Sequence, residues 1–226
     1  MAHRIRRVPD FIYWMIFVIL ISLHYYTKTQ ESAAQGYVEF FIIVWLVSFI
    51  GLIALRMWVP EPSRAEVVDY DENLSWQHLD RIILGLLLVE MTAIAVNLLG
   101  SAAVTAMWIP SLSLNWYDDL LFNIGLVATA EESAKVLAIK ALQMRLGDTP
   151  EGRAFSVAMP IAFWAVLHGY HSYAVYGSEM WLLIAAAFIS GLIMYWVLRE
   201  TRSIMSCYII HGAYNALVIL TQAIGL

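Results

Sequence analysis

Residues 128–140 read ATAEESAKVLAIK, which places Glu131, Glu132 and Lys135 inside a run otherwise long and apolar enough to cross a bilayer. A charge at the bilayer centre costs about 3 kcal/mol or more, so ionisable residues there face the protein interior and mark function. The rest of the chain is read by asking what meets these carboxylates.

Composition fixes the solvent. Of 226 residues, 61% are hydrophobic and only 14% charged, far more apolar than ordinary soluble usage. The expected fold is all-α, a polytopic transmembrane bundle. The net charge of -5 says little about partners, because the acidic excess sits in one segment, residues 61–80, and a nucleic-acid partner is not expected. The single cysteine, Cys207, excludes an internal disulfide framework and a cysteine-built zinc site. MAHRIRR followed by an apolar run without a small-residue cleavage pattern reads as an uncleaved first helix.

Seven segments have the roughly 20 residues that a spanning helix needs. They lie near 9–26, 37–59, 82–99, 119–142, 153–176, 180–198 and 203–224, within one integral membrane domain covering 1–226. The connection 60–80 carries DENLSWQHLDR, which reads as a short interfacial helix around Trp76 or a solvated connector. The connection 100–118, with Trp108, Pro110 and Trp116 and no Lys or Arg, fits a loop on or dipping into the interface. An eighth, interfacial or re-entrant helix is therefore open. Basic residues set the orientation. Arg4, Arg6, Arg7, Arg56, Arg64, Arg81, Arg145, Arg153, Arg199 and Arg202 fall on one side and Lys28 on the other, which predicts a cytoplasmic N-terminus and an extracytoplasmic C-terminus. Lys140, near the inner end of the fourth span, is expected to snorkel to the headgroups.

Depth brings three helices together. At about 1.5 Å per residue, Glu131 lies roughly 18 Å below the outer end of its span, His168 and His171 lie past the midpoint of the fifth, and His211 and Asn215 bracket the midpoint of the seventh. Glu131 and Lys135 are i,i+4, His168 and His171 i,i+3, and His211 and Asn215 i,i+4, so each pair shares a face. Gly169 and Gly212, each beside a histidine, allow close helix approach. A carboxylate in apolar surroundings suits a general base acting on water, and an imidazole with an amide suits a developing oxyanion. That set describes hydrolysis by activated water. A metal-assisted reading stays open, with His168, His211 and Glu131 as zinc ligands; the cofactor is thus none or Zn.

EE in a transmembrane helix, then WAVLH, then HGAYN resembles the three-motif signature of the CAAX prenyl protease and bacteriocin-processing (CPBP, or ABI) intramembrane proteases: EExxxR, FxxxH and HxxxN. The resemblance covers about 123–226, with TRSIMSCYIIHGAYN similar to the third motif along its whole run. It implies a bundle of about eight helices and endopeptidase activity within the bilayer. Glu131 or Glu132 would activate water, His168 assist, and His211 with Asn215 hold the oxyanion. Two positions depart from the pattern. The family's Arg would fall at Val136, and the basic residue here is Lys135, about 40° from Glu131 and 60° from Glu132 on the helical wheel; EESAK also resembles the EExxK of PrsW-type proteases. Trp164 stands where the family has Phe. His171 is a further supporting candidate that stands open to replace His168.

Glu90, on the third span, is assigned a supporting role. The favoured function is an intramembrane endopeptidase acting on a membrane-anchored or lipidated protein or peptide in the lipid bilayer. Two alternatives stand beside it: a non-catalytic scaffold of the same fold binding a partner membrane protein, and a haem or proton-relay protein using His168 and His211 as axial ligands.

Overall fold

The computed structural model describes residues 10–30, 34–58, 78–99, 115–147 and 149–224. The segment around Trp76, read as a short interfacial helix or a solvated connector, and the segment with Trp108 and Pro110 lie outside them, as does the side chain of His171. Among the described residues every regular element is helical: α1 (Asp10–Lys28), α2 (Gln35–Trp58), α3 (Leu79–Leu99), α4 (Trp116–Phe122), α5 (Ala128–Leu146), α6 (Pro150–Tyr176), α7 (Met180–Thr201) and α8 (Ile204–Ala223). A π-helical turn, Asn123–Val127, joins α4 to α5, and a short 3-10 turn, Gly177–Glu179, joins α6 to α7.

Local chemistry explains the boundaries. Asn115 starts α4 by accepting the Asp118 backbone N–H at 2.9 Å, a side-chain N-cap. Gly147, at φ 75, ends α5 in a backbone region that costs glycine nothing. Thr149 then accepts the Gly152 N–H at 3.0 Å, and Pro150 opens α6 at the one position where a missing N–H is harmless. Arg202, at φ 50, turns the chain between α7 and α8, and Thr201 Oγ1 receives the Ser203 N–H there.

The protein is a polytopic helical membrane bundle. Three of its described helical segments, Gln35–Leu55, Met180–Thr201 and Ile204–Ala223, are long and apolar enough to cross a membrane by length and composition. The helix that carries the glutamates is not among them, and packing supplies the reason. α5 is enclosed by α2, α6 and α8, so its polar groups meet protein rather than lipid. On α2 the two faces divide cleanly: Val38, Phe41 and Trp45 are buried, whereas Ile43, Val47 and Ile50 are exposed, as a lipid-facing surface requires. α6 packs on α5 and α7, and α3 on α7 and α8. One expectation fails: Lys140 does not reach outward but is 6% exposed and donates to Gln143 Oε1 at 3.1 Å. Its aliphatic stem lies among packed helices, and a nearby amide gives the ammonium a partner without snorkelling.

Glycines set the closest approaches. A Cβ added at Gly169 would lie 2.3 Å from Ile184 Cγ1, and one at Gly212 would lie 3.3 Å from Ile124 Cγ2 and 3.4 Å from the Ile124 carbonyl oxygen. α6 thereby seats on α7, and α8 on the π turn, immediately beside His168 and His211.

Candidate active site

Glu131 and Glu132 are both buried, 4% and 3% exposed, but adjacent positions on a helix point about 100° apart and their surroundings differ. Glu132 Oε1 accepts from Lys135 Nζ at 2.5 Å and from His211 Nδ1 at 2.6 Å. Glu131 Oε2 accepts from Trp164 Nε1 at 2.9 Å and faces two imidazoles, with His211 Nε2 at 3.7 Å and His168 Nε2 at 3.9 Å. Those two gaps are too long for direct hydrogen bonds and of the width that a single bridging water spans.

The helical wheel left Lys135 free to pair with either glutamate; the ion pair forms at i,i+3, with Glu132. Both carboxylates are within reach of a lysine on the wheel. The arrival of α8 on the Glu132 side decides between them, because His211 then completes a three-membered set of Lys135, Glu132 and His211.

Ring orientation follows from what each partner can do. The Trp164 carbonyl only accepts, so His168 Nδ1, 2.9 Å away, carries the hydrogen and donates to it. In the neutral ring Nε2 is then left with a lone pair directed at Glu131. The Glu132 carboxylate likewise accepts from His211 Nδ1, turning Nε2 of that ring to the same spot. Trp164 has two functions: its indole N–H holds Glu131, and its carbonyl holds His168.

A pocket of about 50 Å³ opens at this point, lined by Glu131, Lys135, Trp164, His168, His211 and Asn215, with Val89, Val127, Ala187, Ser190, Met194, Ile210 and Tyr214 completing the wall. That is room for several waters at about 10–15 Å³ of centre-accessible space each. Glu132 is not part of the lining. Glu90, expected to support the site, sits next to pocket-lining Val89 on α3 but is itself outside the lining; its Oε1 is buried with no hydrogen-bond partner among the described residues. The apolar wall from α3 and α7 carries no signal in sequence, since Val, Ala and Met at such positions read as packing.

His168, His211 and Glu131 bring a zinc-compatible donor set face to face. In the present arrangement, however, no group of three or more His, Cys, Asp or Glu among the described residues could hold a metal ion. The Trp164 N–H engages Oε2, the Glu131 oxygen that faces both imidazoles.

Fold and pocket together define the class: an integral membrane helical bundle with a small polar chamber, room for several waters, in which a carboxylate, two imidazoles and an amide converge. The chain matches the family model described as type II CAAX prenyl endopeptidase Rce1-like over residues 73–217, more than half its length, and belongs to that family. No curated protein and no solved structure matches it. The match takes in α3, which the three sequence motifs had left out, and with it every helix that lines the pocket.

Proposed function

We propose that this protein is an intramembrane endopeptidase that hydrolyses a peptide bond of a membrane-anchored, prenylated protein, with Glu131 as the general base. The observation that carries the reading is the unequal environment of the two glutamates. Glu132 is engaged by a lysine and an imidazole, whereas Glu131 faces the pocket and two imidazole nitrogens.

A water held between Glu131 Oε2 and His168 Nε2 donates one hydrogen to each. As its oxygen attacks the scissile carbonyl carbon, Glu131 takes the proton. The carbonyl π bond opens to an oxyanion, which Asn215 and the protonated form of His211, held on its other side by Glu132, stabilise by hydrogen bonds. Glu131 then returns the proton to the amide nitrogen, the oxyanion reforms the carbonyl as the C–N bond breaks, and a carboxylic acid and an amine leave, the acid's proton passing to the amine. The low-dielectric surroundings strengthen each of these contacts relative to water. Lys135 neutralises Glu132 and stays out of the chemistry. The charge asymmetry of the loops supports an orientation with the N-terminus cytoplasmic, and the whole chain is read as one integral membrane domain.

The test uses the full-length protein in liposomes with a fluorogenic peptide carrying a farnesylated cysteine and an aliphatic C-terminal tail. Wild type is expected to cleave it and both E131Q and E132Q to lose cleavage, with wild-type activity persisting in EDTA and phenanthroline. Retained cleavage in E131Q would sink the proposal. Loss with chelator and recovery with Zn²⁺ would replace the glutamate-only mechanism by the metal-assisted one.

A further inference from the structure

On the face of α5 turned away from the pocket, Ser133 Oγ and the Tyr208 hydroxyl hydrogen-bond at 2.7 Å. Ser133 is 2% and Tyr208 1% exposed, and neither lines the pocket. The position of this bond is what matters. Ser133 follows Glu132 directly, and Tyr208 precedes His211 by three residues, close to one helical turn. The bond therefore ties α5 to α8 one turn from the place where Glu132 meets His211 Nδ1 at 2.6 Å.

A third helix backs it. The Trp14 indole of α1 stacks on the Tyr208 ring at 6.1 Å and 15°, and its N–H donates to Thr129 Oγ1 at 2.9 Å. Thr129 is one turn before Glu132 and Ser133. Trp14 thus bridges α5 and α8 from behind, although α1 lies outside the residues that match the family.

We propose that Tyr208 is a positioning residue: its bond to Ser133, braced by Trp14, sets the register of α8 on α5 and thereby the reach of His211 to Glu132. The reason is geometric. Apolar packing in the same core, where Val136 and Ile210 lie, tolerates sliding by about tenths of an ångström. A hydrogen bond from a hydroxyl does not, and an imidazole that must meet a carboxylate on one side and serve the pocket on the other needs that precision. The inference rests on the reading of Glu131 as base and His211 as its neighbour, but its geometric core can be tested without any activity.

The test compares Y208F, S133A and the double variant in the full-length protein. Y208F keeps the ring on Trp14, and Ser133 can turn its hydroxyl to a carbonyl of its own helix, so folding is expected to persist with a melting temperature within a few degrees of wild type. In NMR of the protein labelled at histidine ring nitrogens, wild type should give a downfield Nδ1–H signal from His211 bonded to carboxylate. That signal should be lost or broadened in each variant and restored in S133T. With the farnesylated peptide, kcat should fall about tenfold, as supporting-shell losses commonly do, with KM unchanged. The double variant should equal the singles, since all three cut one link. An unchanged His211 signal in Y208F and S133A, or losses that multiply in the double variant, would overturn the assignment. Should wild type cleave nothing, the proposed function fails while the NMR comparison still decides the positioning role.

Discussion

Replacing each glutamate separately by glutamine should split stability from chemistry. Glu132 and Lys135 form an ion pair whose side chains are 4% and 8% exposed, at 2.5 Å. E132Q removes the anion and leaves a buried ammonium opposite a neutral amide. Breaking one side of such a pair costs about 3–5 kcal/mol. For a chain of this size each kcal/mol moves the midpoint by about 2–4 °C, so melting is expected to fall by about 10 °C. E131Q strands no cation, and Trp164 Nε1 can still donate to the amide oxygen in place of the carboxylate oxygen it now meets; its stability should change by less than about 1 kcal/mol. Its activity should fall by about 10²- to 10⁴-fold, the range of a lost general base. The double variant E132Q/K135M removes the stranded charge and should recover most of the lost stability, because apolar replacement of a whole buried pair is close to neutral. Tryptophan fluorescence during heating in detergent, with cleavage measured well below every midpoint, reads both quantities. The reasoning is refuted if E131Q is the variant that melts early, or if E132Q/K135M is no more stable than E132Q.

Three further outcomes follow from single contacts. W164F deletes the N–H that meets Glu131 Oε2 at 2.9 Å while keeping an aromatic ring, and kcat on the farnesylated peptide should drop by about 10- to 150-fold, one hydrogen bond to a charged group being worth about 1.5–3 kcal/mol. D118A removes the carboxylate that Lys28 Nζ reaches at 2.6 Å; because the Lys28 side chain is 36% exposed and Tyr25 keeps its bond to the Asp118 carbonyl oxygen, the loss should be only about 1 kcal/mol, read as a small, salt-sensitive shift in melting. G125L should cost more, about 1–3 kcal/mol, since even a Cβ at Gly125 would lie 2.5 Å from Ile21 Cδ1 and the larger side chain must push α1 off the π turn. The measurement is the same heating curve.

Much of the site was legible because a membrane makes polarity conspicuous. Glu131, His168, His211 and Asn215 stand out in apolar runs, and counting along three helices brings them to one level; the structure lines one pocket with all four. What counting left open was which glutamate pairs with Lys135, since 40° and 60° on a wheel are both within reach of a lysine. That choice belongs to tertiary structure, to the side on which His211 arrives. The Ser133–Tyr208 bond and the Trp14 brace were invisible for a different reason. A serine, a tyrosine and a tryptophan in spanning helices read equally well as packing or as interfacial belt, and only the contact between helices distant in sequence gives them a role. The π turn at Asn123–Val127 has no signature beyond Gly125, because its extra residue is accommodated by the neighbours it packs against.

The division of the chain follows from the cost of polarity in lipid. Every residue lining the pocket lies within the 73–217 match, so the helices that line it belong to the shared family core. α1 and α2 lie outside it, yet they cover the side of α5 opposite the pocket, where Thr129 and Ser133 would otherwise meet acyl chains that offer no hydrogen bond. α2 does so with an apolar inner face and an apolar outer face; α1 does so with one polar atom, Trp14 Nε1, which satisfies Thr129. α5 can therefore be polar on both sides, with a water-accepting side toward α6 and α8 and a hydrogen-bonded side toward α1. The apolar shell is what permits the two glutamates: it removes lipid from both faces of the helix, leaving the pocket as the place where water can reach Glu131.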